Sequence, residues 1–198
     1  MKFYKSNELV EIDKDKVKSL FQNNELTQNS KDEYNYCNLG NYYFEIEKDY
    51  EKATEYYLKA IKMGNSIAMN NLGYYYHFIK KDYEKAKEYY LIAIELGNSY
   101  ALHNLGYYYE EIEINYEKAT GYYLKAIKLG NSAAMNNLGY YYYKIEKDYE
   151  KATGYYLKAI KLGNSEAMNN LELITTPLER YILYKQNDIK FEEKIEDE

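Results

Sequence analysis

The stretch from Asp82 to Tyr109 reads DYEKAKEYYLIAIELGNSYALHNLGYYY and holds one copy of the pattern that decides the fold. Its final landmark, the dipeptide Leu-Gly, recurs along the chain with a constant stride of 33 residues. The copies are Leu39-Gly40, Leu72-Gly73, Leu105-Gly106 and Leu138-Gly139, and Leu171 continues the series. A fixed period of this length indicates tandem repeats. The sequence therefore predicts four full repeats and a partial fifth.

Each repeat carries two stretches with helical spacing. In the second repeat, Ala86 and Ala93 bound the pattern A-x-x-Y-Y-x-x-A, which fits a helix and not a strand. Ala68 and Leu72 start another apolar face at the spacing of an amphipathic helix. Asp82 is a candidate N-cap between the two helices, and the Gly-Asn-Ser stretch 97–99 offers a left-handed stop and a new cap.

A pair of helices cannot bury its apolar face alone, so each pair must stack on its neighbours. The predicted fold class is all-α, a right-handed α-α superhelix (solenoid) of 33-residue helix-turn-helix repeats. Small residues such as Gly73 would let two helix backbones approach closely, so a bulky residue there should damage the repeat.

The boundaries follow from local signals at both ends. The capping box Ser30-Lys31-Asp32-Glu33 predicts the start of the repeats, which leaves residues 1–29 as an N-terminal segment with a capping helix around Asp15 to Asn23. The repeats are expected over residues 30–176. Residues 177–198 are expected to form a C-terminal capping helix, started by Thr176-Pro177, and an acidic tail.

Composition narrows the function classes. The 198 residues have a net charge of -6, which disfavours nucleic acid as a partner. The chain shows no apolar run long enough for a membrane span and no secretory signal, so we expect a cytoplasmic protein. Cys37 is the single cysteine, and we expect no metal and no cofactor. The 30 tyrosines fit either a sticky aromatic surface or compositional drift.

The landmarks resemble the Sel-one-like repeats, a branch of the tetratricopeptide-repeat superfamily. The resemblance rests on K-D-Y before the second helix, an aromatic pair followed by L-x-A-I, a Gly-Asn turn and then A-x-x-N-L-G, over residues 33–171. The sequence departs from the family pattern in one feature, which recurs in its repeats. Sel-one-like repeats usually have a longer, glycine-bearing loop between their two helices, whereas the loop here is only about Glu47 to Asp49, or its equivalent. The resemblance implies a scaffold or adaptor for protein complexes, without catalytic residues.

No constellation of residues predicts an enzyme. Residues 116–138 and 149–171 are identical except that Ala133 is matched by Glu166, and duplicated surfaces are typical of binding, not of one reaction centre. His77 and His103 are expected to be isolated groove or surface histidines. The carboxylates of the run Glu110-Glu111-Ile112-Glu113 are expected to face solvent.

The resemblance places the first helix of each repeat on the concave wall, which becomes the predicted partner-binding groove. An asparagine precedes each landmark leucine, and amides can bond a peptide backbone. Tyrosines two residues beyond the leucines would add rigid contact area. The predicted groove residues are Asn38, Asn71, Asn104, Asn137, Asn70, His103, Asn136, Tyr74, Tyr107 and Tyr140. Alternatively, the asparagines bond neighbouring helix turns or repeats and serve only the structure.

The predicted function is a scaffold that binds a protein or peptide partner, as a monomer or with weak self-association. The alternative is a structural protein whose copies associate through the tyrosine-rich surface, without a dedicated peptide ligand.

Overall fold

A computed structural model describes residues 2–5, 8–11 and 33–189 of the chain. The chain divides into two compact units, Met1–Asn98 and Ser99–Glu198. The capping helix expected around Asp15 to Asn23, the start of the predicted capping box and the acidic tail from residue 190 lie outside the described residues.

In the first unit, two strands form an antiparallel pair, β1 (Lys2–Lys5) and β2 (Glu8–Glu11). This hairpin departs from the all-α prediction. Phe3, Tyr4 and Val10 are residue types enriched in strands, a signal that the helix-based interpretation of residues 1–29 overlooked.

The helices of the first unit come in two pairs. The first pair is α1 (Glu33–Tyr42), which continues into a π-helical turn (Tyr43–Glu47), and α2 (Tyr50–Ile61). The second pair is α3 (Ser66–Tyr74), with its π-helical turn (Tyr75–Lys80), and α4 (Tyr83–Glu95).

The second unit repeats the pattern twice and ends with two shorter helices. Its pairs are α5 (Ser99–Glu111) with α6 (Tyr116–Lys128), and α7 (Ser132–Tyr141) with α8 (Tyr149–Lys161). A π-helical turn, Tyr142–Glu146, extends α7. The last helices are α9 (Ser165–Glu172) and α10 (Pro177–Gln186).

Each connection inside a pair is short and uses the same device. One residue with positive φ ends the first helix, and an Asp or Asn then caps the second helix. Asp82 accepts a hydrogen bond from the backbone N–H of Lys85, as its place in the sequence predicted. Between pairs, Gly97 and its equivalents have positive φ, which glycine adopts without a steric penalty.

The core of each repeat is a tyrosine ring lying against a glycine. A β-carbon added to Gly73 would lie 2.7 Å from the Tyr90 ring and 3.3 Å from the carbonyl oxygen of Ala86. The same contact recurs at Gly40, Gly106 and Gly139, against Tyr57, Tyr123 and Tyr156. The landmark glycine therefore lets the second helix approach, as the sequence predicted.

A second aromatic contact links the two helices of every pair on the outside of this core. Two tyrosine rings stack nearly parallel, with centroids 5.3 Å apart for Tyr43 and Tyr56. The ammonium of Lys52 lies 5.2 Å from the Tyr43 centroid. The equivalent stacks are Tyr76 with Tyr89, Tyr109 with Tyr122, and Tyr142 with Tyr155. Many of the tyrosines therefore hold the two helices of a repeat together.

Candidate partner-binding site

The first helices carry the predicted binding residues, and the structure places them at three depths. Asn38, Tyr74 and Tyr140 are exposed. Asn71, Asn104, Asn137, His103 and Tyr107 are partly buried. Asn70 and Asn136 are buried, so their amides lie behind the face that a partner could reach.

In the first unit, the asparagine before the landmark leucine bonds to the preceding repeat. Asn71 donates from Nδ2 to Oδ1 of Asn41 at 2.7 Å, and the Tyr57 hydroxyl donates to the same oxygen at 2.8 Å. Sequence reasoning missed Asn41, which occupies the position held by Tyr74 in the next repeat. The signal was available, because Asn41 breaks the tyrosine pattern at that position.

The second unit contains a longer polar network on its first helices. His103 Nδ1 lies 3.2 Å from Oδ1 of Asn104, and His103 Nε2 lies 3.1 Å from Nδ2 of Asn137. The same amide nitrogen donates to the Tyr123 hydroxyl at 3.3 Å, and that hydroxyl donates to Glu110 Oε2 at 2.6 Å. These bonds join two successive repeats.

The network fits a neutral His103 with its proton on Nδ1, because Asn137 already presents a donor to Nε2. Burial lowers the pKa of His103 to about 4. Burial also raises the pKa of Glu110, although its bond from the Tyr123 hydroxyl opposes that shift. The expectation that Glu110 faces solvent was wrong, because its carboxylate reaches inward to Tyr123.

Farther along the series, Asn170 donates from Nδ2 to Oδ1 of Asn136 at 2.9 Å. Asparagines therefore bond successive repeats within each unit, which is the structural alternative that the sequence left open. These bonds leave hydrogen-bonding capacity on the amide groups, since an asparagine side chain has two N–H donors and an oxygen with two lone pairs. Binding of a partner by the same residues stays a prediction.

The expectation for His77 was also wrong. The ring is buried and its Nδ1 lies 3.4 Å from the Tyr90 hydroxyl. Burial lowers the pKa of His77 to about 4. The position corresponds to Glu110 in the next repeat, so each of these side chains meets the hydroxyl of a core tyrosine.

The exposed tyrosines rest on other rings. Tyr74 lies 4.4 Å from Phe78 and 6.1 Å from Phe44 between centroids, and Tyr140 lies 6.3 Å from Tyr143. Rings held this way lose little conformational entropy when a partner covers them.

A family model for the Sel1 repeat matches the chain four times, over residues 36–65, 66–98, 99–131 and 132–164. The chain belongs to the Sel1 repeat family. The predicted family and the predicted class, an all-α fold of helix-turn-helix repeats, are confirmed, apart from the N-terminal hairpin. Sel1 repeats generally mediate protein–protein interactions, and members of the family are typically scaffolds without enzymatic activity.

Solved structures show the same fold. A protective antigen of uropathogenic Escherichia coli strains, described as having an SLR fold, is 30% identical with a TM-score of 0.61. That match covers 82% of this chain but 36% of the antigen, so the chain spans about a third of the antigen's length. A Sel1 repeat protein from Oxalobacter formigenes is 19% identical, with a TM-score of 0.66, and the match covers 89% of this chain and 84% of that protein.

An immunity protein from Pseudomonas aeruginosa is 24% identical with a TM-score of 0.62, and the match covers 88% of this chain and 75% of that protein. At this identity the likeness establishes the fold alone. A comparison with curated proteins finds no matching sequence.

Two further classes of site are absent from the part of the chain that the structure describes. No group of three or more His, Cys, Asp or Glu side chains is placed to hold a metal ion there. Within the same residues, no helix combines the length and the apolar character that a membrane span requires.

Proposed function

We propose that this Sel1 repeat protein is a scaffold that binds a protein or peptide partner on the face of its first helices. The observation that carries the proposal is the pair of exposed tyrosines, Tyr74 and Tyr140, which occupy the same position in two repeats. Each ring contacts at least one other aromatic ring. Supported, exposed tyrosines are typical of the residues that dominate binding energy at protein interfaces.

The neighbouring amides support the same proposal. Asn71 and Asn137 lie on the helices that carry the two tyrosines, and each is fixed by a bond to the preceding repeat. A fixed amide offers its remaining donor and acceptor capacity to the backbone of a peptide without a further ordering cost. Each unit, taken by itself, therefore offers an exposed aromatic ring beside an oriented polar group.

The test places a photo-reactive phenylalanine analogue at position 74 or 140 of the full chain and irradiates native cells. Matched controls carry the analogue at Leu91 or Leu124, exposed apolar positions on second helices. We expect covalent adducts with the same partner protein from 74 and 140 and none from 91 and 124. Mass spectrometry of the adducts identifies the partner.

Calorimetry with the purified partner then measures affinity. We expect the double variant Tyr74→Ala with Tyr140→Ala to weaken binding about tenfold or more, because each ring is a candidate hot spot. Leu91→Ala with Leu124→Ala should leave affinity unchanged. Replacing Asn71 would also remove its bond to Asn41, so the tyrosines are the cleaner positions. Adducts from the second-helix positions alone would contradict the proposal, and adducts only between copies of this chain would favour the self-association alternative.

A further inference from the structure

The second helices of the two units differ in charge. In the first unit, α2 has two lysines and two glutamates, and α4 has two lysines and three glutamates. In the second unit, α6 and α8 each have three lysines and one glutamate, although the chain as a whole has a net charge of -6. Among the second helices, an excess of positive charge therefore occurs in the second unit.

A glutamate-to-glycine difference contributes to this excess and leaves a lysine without its carboxylate. In α2, Lys59 Nζ lies 2.6 Å from Oε1 of Glu55, four residues earlier. In α8 the same two positions hold Lys158 and Gly154, and a β-carbon added to Gly154 would meet nothing within 4 Å. Lys158 and Lys161 are exposed, and neither forms an ion pair with any described residue.

These two lysines and the glycine lie together on the surface of α8. Lys158 follows Gly154 by four residues and precedes Lys161 by three, so the three positions are neighbours on one side of the helix. They are called the basic face of α8. The Lys158 ammonium lies 5.3 Å from the centroid of the Tyr155 ring, an attraction that orients the ammonium and leaves its charge in place. The face therefore offers two positive charges beside open space.

The chain that leaves α10 starts close to this face. The backbone N–H of Ile189 donates to the carbonyl oxygen of Tyr184 at 3.0 Å, and the Ile189 side chain packs against the apolar cluster that includes Leu157 and Ile160 of α8. Lys161 directly follows Ile160 and lies one turn beyond Leu157, on the same side of α8. The chain beyond Ile189 therefore begins at the cluster that borders the basic face.

Residues 190–198, with the sequence KFEEKIEDE, have the charge and the length that this face requires. They contain five acidic residues and two lysines. Nine residues can span up to about 30 Å, whereas the basic face extends about 10 Å along α8. Because the segment is tethered next to the face, its effective concentration there is high, so exposed ion pairs of modest strength are sufficient. An acidic segment of another molecule lacks this advantage.

We propose that residues 190–198 dock on the basic face of α8 and place their carboxylates beside Lys158 and Lys161. Glutamates of this segment replace the carboxylate that the earlier repeat supplies from Glu55 and that Gly154 cannot supply. The docked segment acts as a polar cap at the end of the repeats, where such arrays require a polar outer face.

The first test is carbodiimide cross-linking of the full wild-type chain at low ionic strength. This reagent joins a carboxylate to an ammonium without a spacer, so a product requires direct contact. We expect peptide mass spectrometry to find Glu192, Glu193 or Glu196 joined to Lys158 or Lys161. A mixture of isotopically labelled and unlabelled protein distinguishes links within one chain from links between copies, and we expect links within one chain.

The chain contains its own matched control, because α6 has the same sequence as α8. Lys125 and Lys128 are the equivalents of the two lysines of the basic face, and both are exposed. We expect their cross-links to the acidic segment to have a yield at least about fivefold lower, because the segment is tethered beside α8.

Thermal unfolding of full-length variants supplies a second readout. Lys158→Gln with Lys161→Gln should lower the melting temperature about 2 °C more than Lys125→Gln with Lys128→Gln. Both pairs lie in the last turn of their helices, so both substitutions remove the same interaction with the helix dipole. In a background whose glutamates at 192, 193 and 196 are all changed to glutamine, the difference should disappear.

Several outcomes would overturn the proposal. They are the absence of any cross-link to the basic face, equal cross-linking of α6 and α8, and cross-links that form only between copies. A difference in melting temperature that persists in the glutamine background would also overturn it. The inference is independent of the proposed function, because Tyr74 and Tyr140 lie on first helices and none of these variants alters them.

Discussion

Residues 116–138 and 149–171 have the same sequence apart from Ala133 and Glu166, yet the structure gives them different surroundings. Leu124 on α6 is 44% exposed, whereas its counterpart Leu157 on α8 is 6% exposed. Leu157 belongs to an apolar cluster that includes Tyr184 of α10.

The two core tyrosines differ in the same way. The Tyr123 hydroxyl bonds Glu110 and Asn137, whereas the Tyr156 hydroxyl is buried without a hydrogen-bond partner among the described residues. Local sequence therefore specifies the helix and its internal packing, while the neighbouring element decides which side chains become core.

The largest expected difference comes from the two leucines. We expect Leu157→Ala to lower the free energy of unfolding by about 2 to 4 kcal/mol, because it leaves a cavity in a buried cluster. Leu124→Ala should lower it by less than about 1 kcal/mol, because the side chain is already partly solvated. Urea unfolding measures both, and equal losses would mean that the two leucines share one environment.

The first helices of the two repeats should contribute differently to the pH dependence of stability, because His103 of one corresponds to Asn136 of the other. Burial lowers the folded-state pKa of His103 from 6.5 to about 4. Its contribution to stability is therefore complete above the unfolded-state pKa and is lost as the pH falls toward the folded-state pKa.

Relative to His103→Asn, which installs the residue found at 136, wild-type protein should lose about 2 kcal/mol between pH 7.5 and pH 5. Parallel stability curves for the two proteins over that interval would show that the imidazole is not shielded from protonation.

Packing at the landmark glycine should be equally strict in both repeats. A β-carbon at Gly139 would lie 2.7 Å from the Tyr156 ring and 3.3 Å from the carbonyl oxygen of Ala152. We expect Gly139→Ala to cost about 1 to 3 kcal/mol of overpacking, measured by thermal unfolding. Gly106→Ala is the matched variant in the preceding repeat, and a neutral effect at either site would mean that the tyrosine moves aside freely.

Removing the hydroxyl of a core tyrosine should give a smaller difference in stability between the two repeats. Tyr123→Phe removes two hydrogen bonds and leaves Glu110 without that donor, so it should cost about 1 kcal/mol. Tyr156→Phe should be neutral or stabilising, because it removes a buried hydroxyl that has no partner among the described residues. Equilibrium unfolding measures the free energy of unfolding of both variants. A larger loss of stability for Tyr156→Phe than for Tyr123→Phe would contradict the hydrogen bonding described for the two hydroxyls.

The smallest expected effect is an increase in stability at two helix glycines. Gly121 and Gly154 lie inside α6 and α8, and a β-carbon added to either meets nothing within 4 Å. We expect Gly121→Ala to raise the melting temperature, with a gain of about 0.5 to 1 kcal/mol from helix propensity. Gly154→Ala should behave the same way, since the open space is the same at both sites. A lower melting temperature would indicate that the glycine serves a close contact.

Local sequence is sufficient to specify the repeat. The stride of the Leu-Gly landmarks, the alanine and tyrosine spacing, the Asp caps and the turn glycines are local signals, and each acts within one helix pair. They recur in the structure because a helix start, a helix stop and a ring lying on a glycine depend on residues close together in sequence.

The role of each repeated residue, in contrast, follows from tertiary contacts. Asn41 and Glu110 become partners of core tyrosines, His77 is buried, and Leu157 differs from Leu124, because these outcomes depend on a side chain contributed by a neighbouring helix. The 33-residue period by itself predicts the same environment for a given position in every repeat. Hydrogen bonding and burial depend instead on the element that lies opposite, and that element changes at the end of the array.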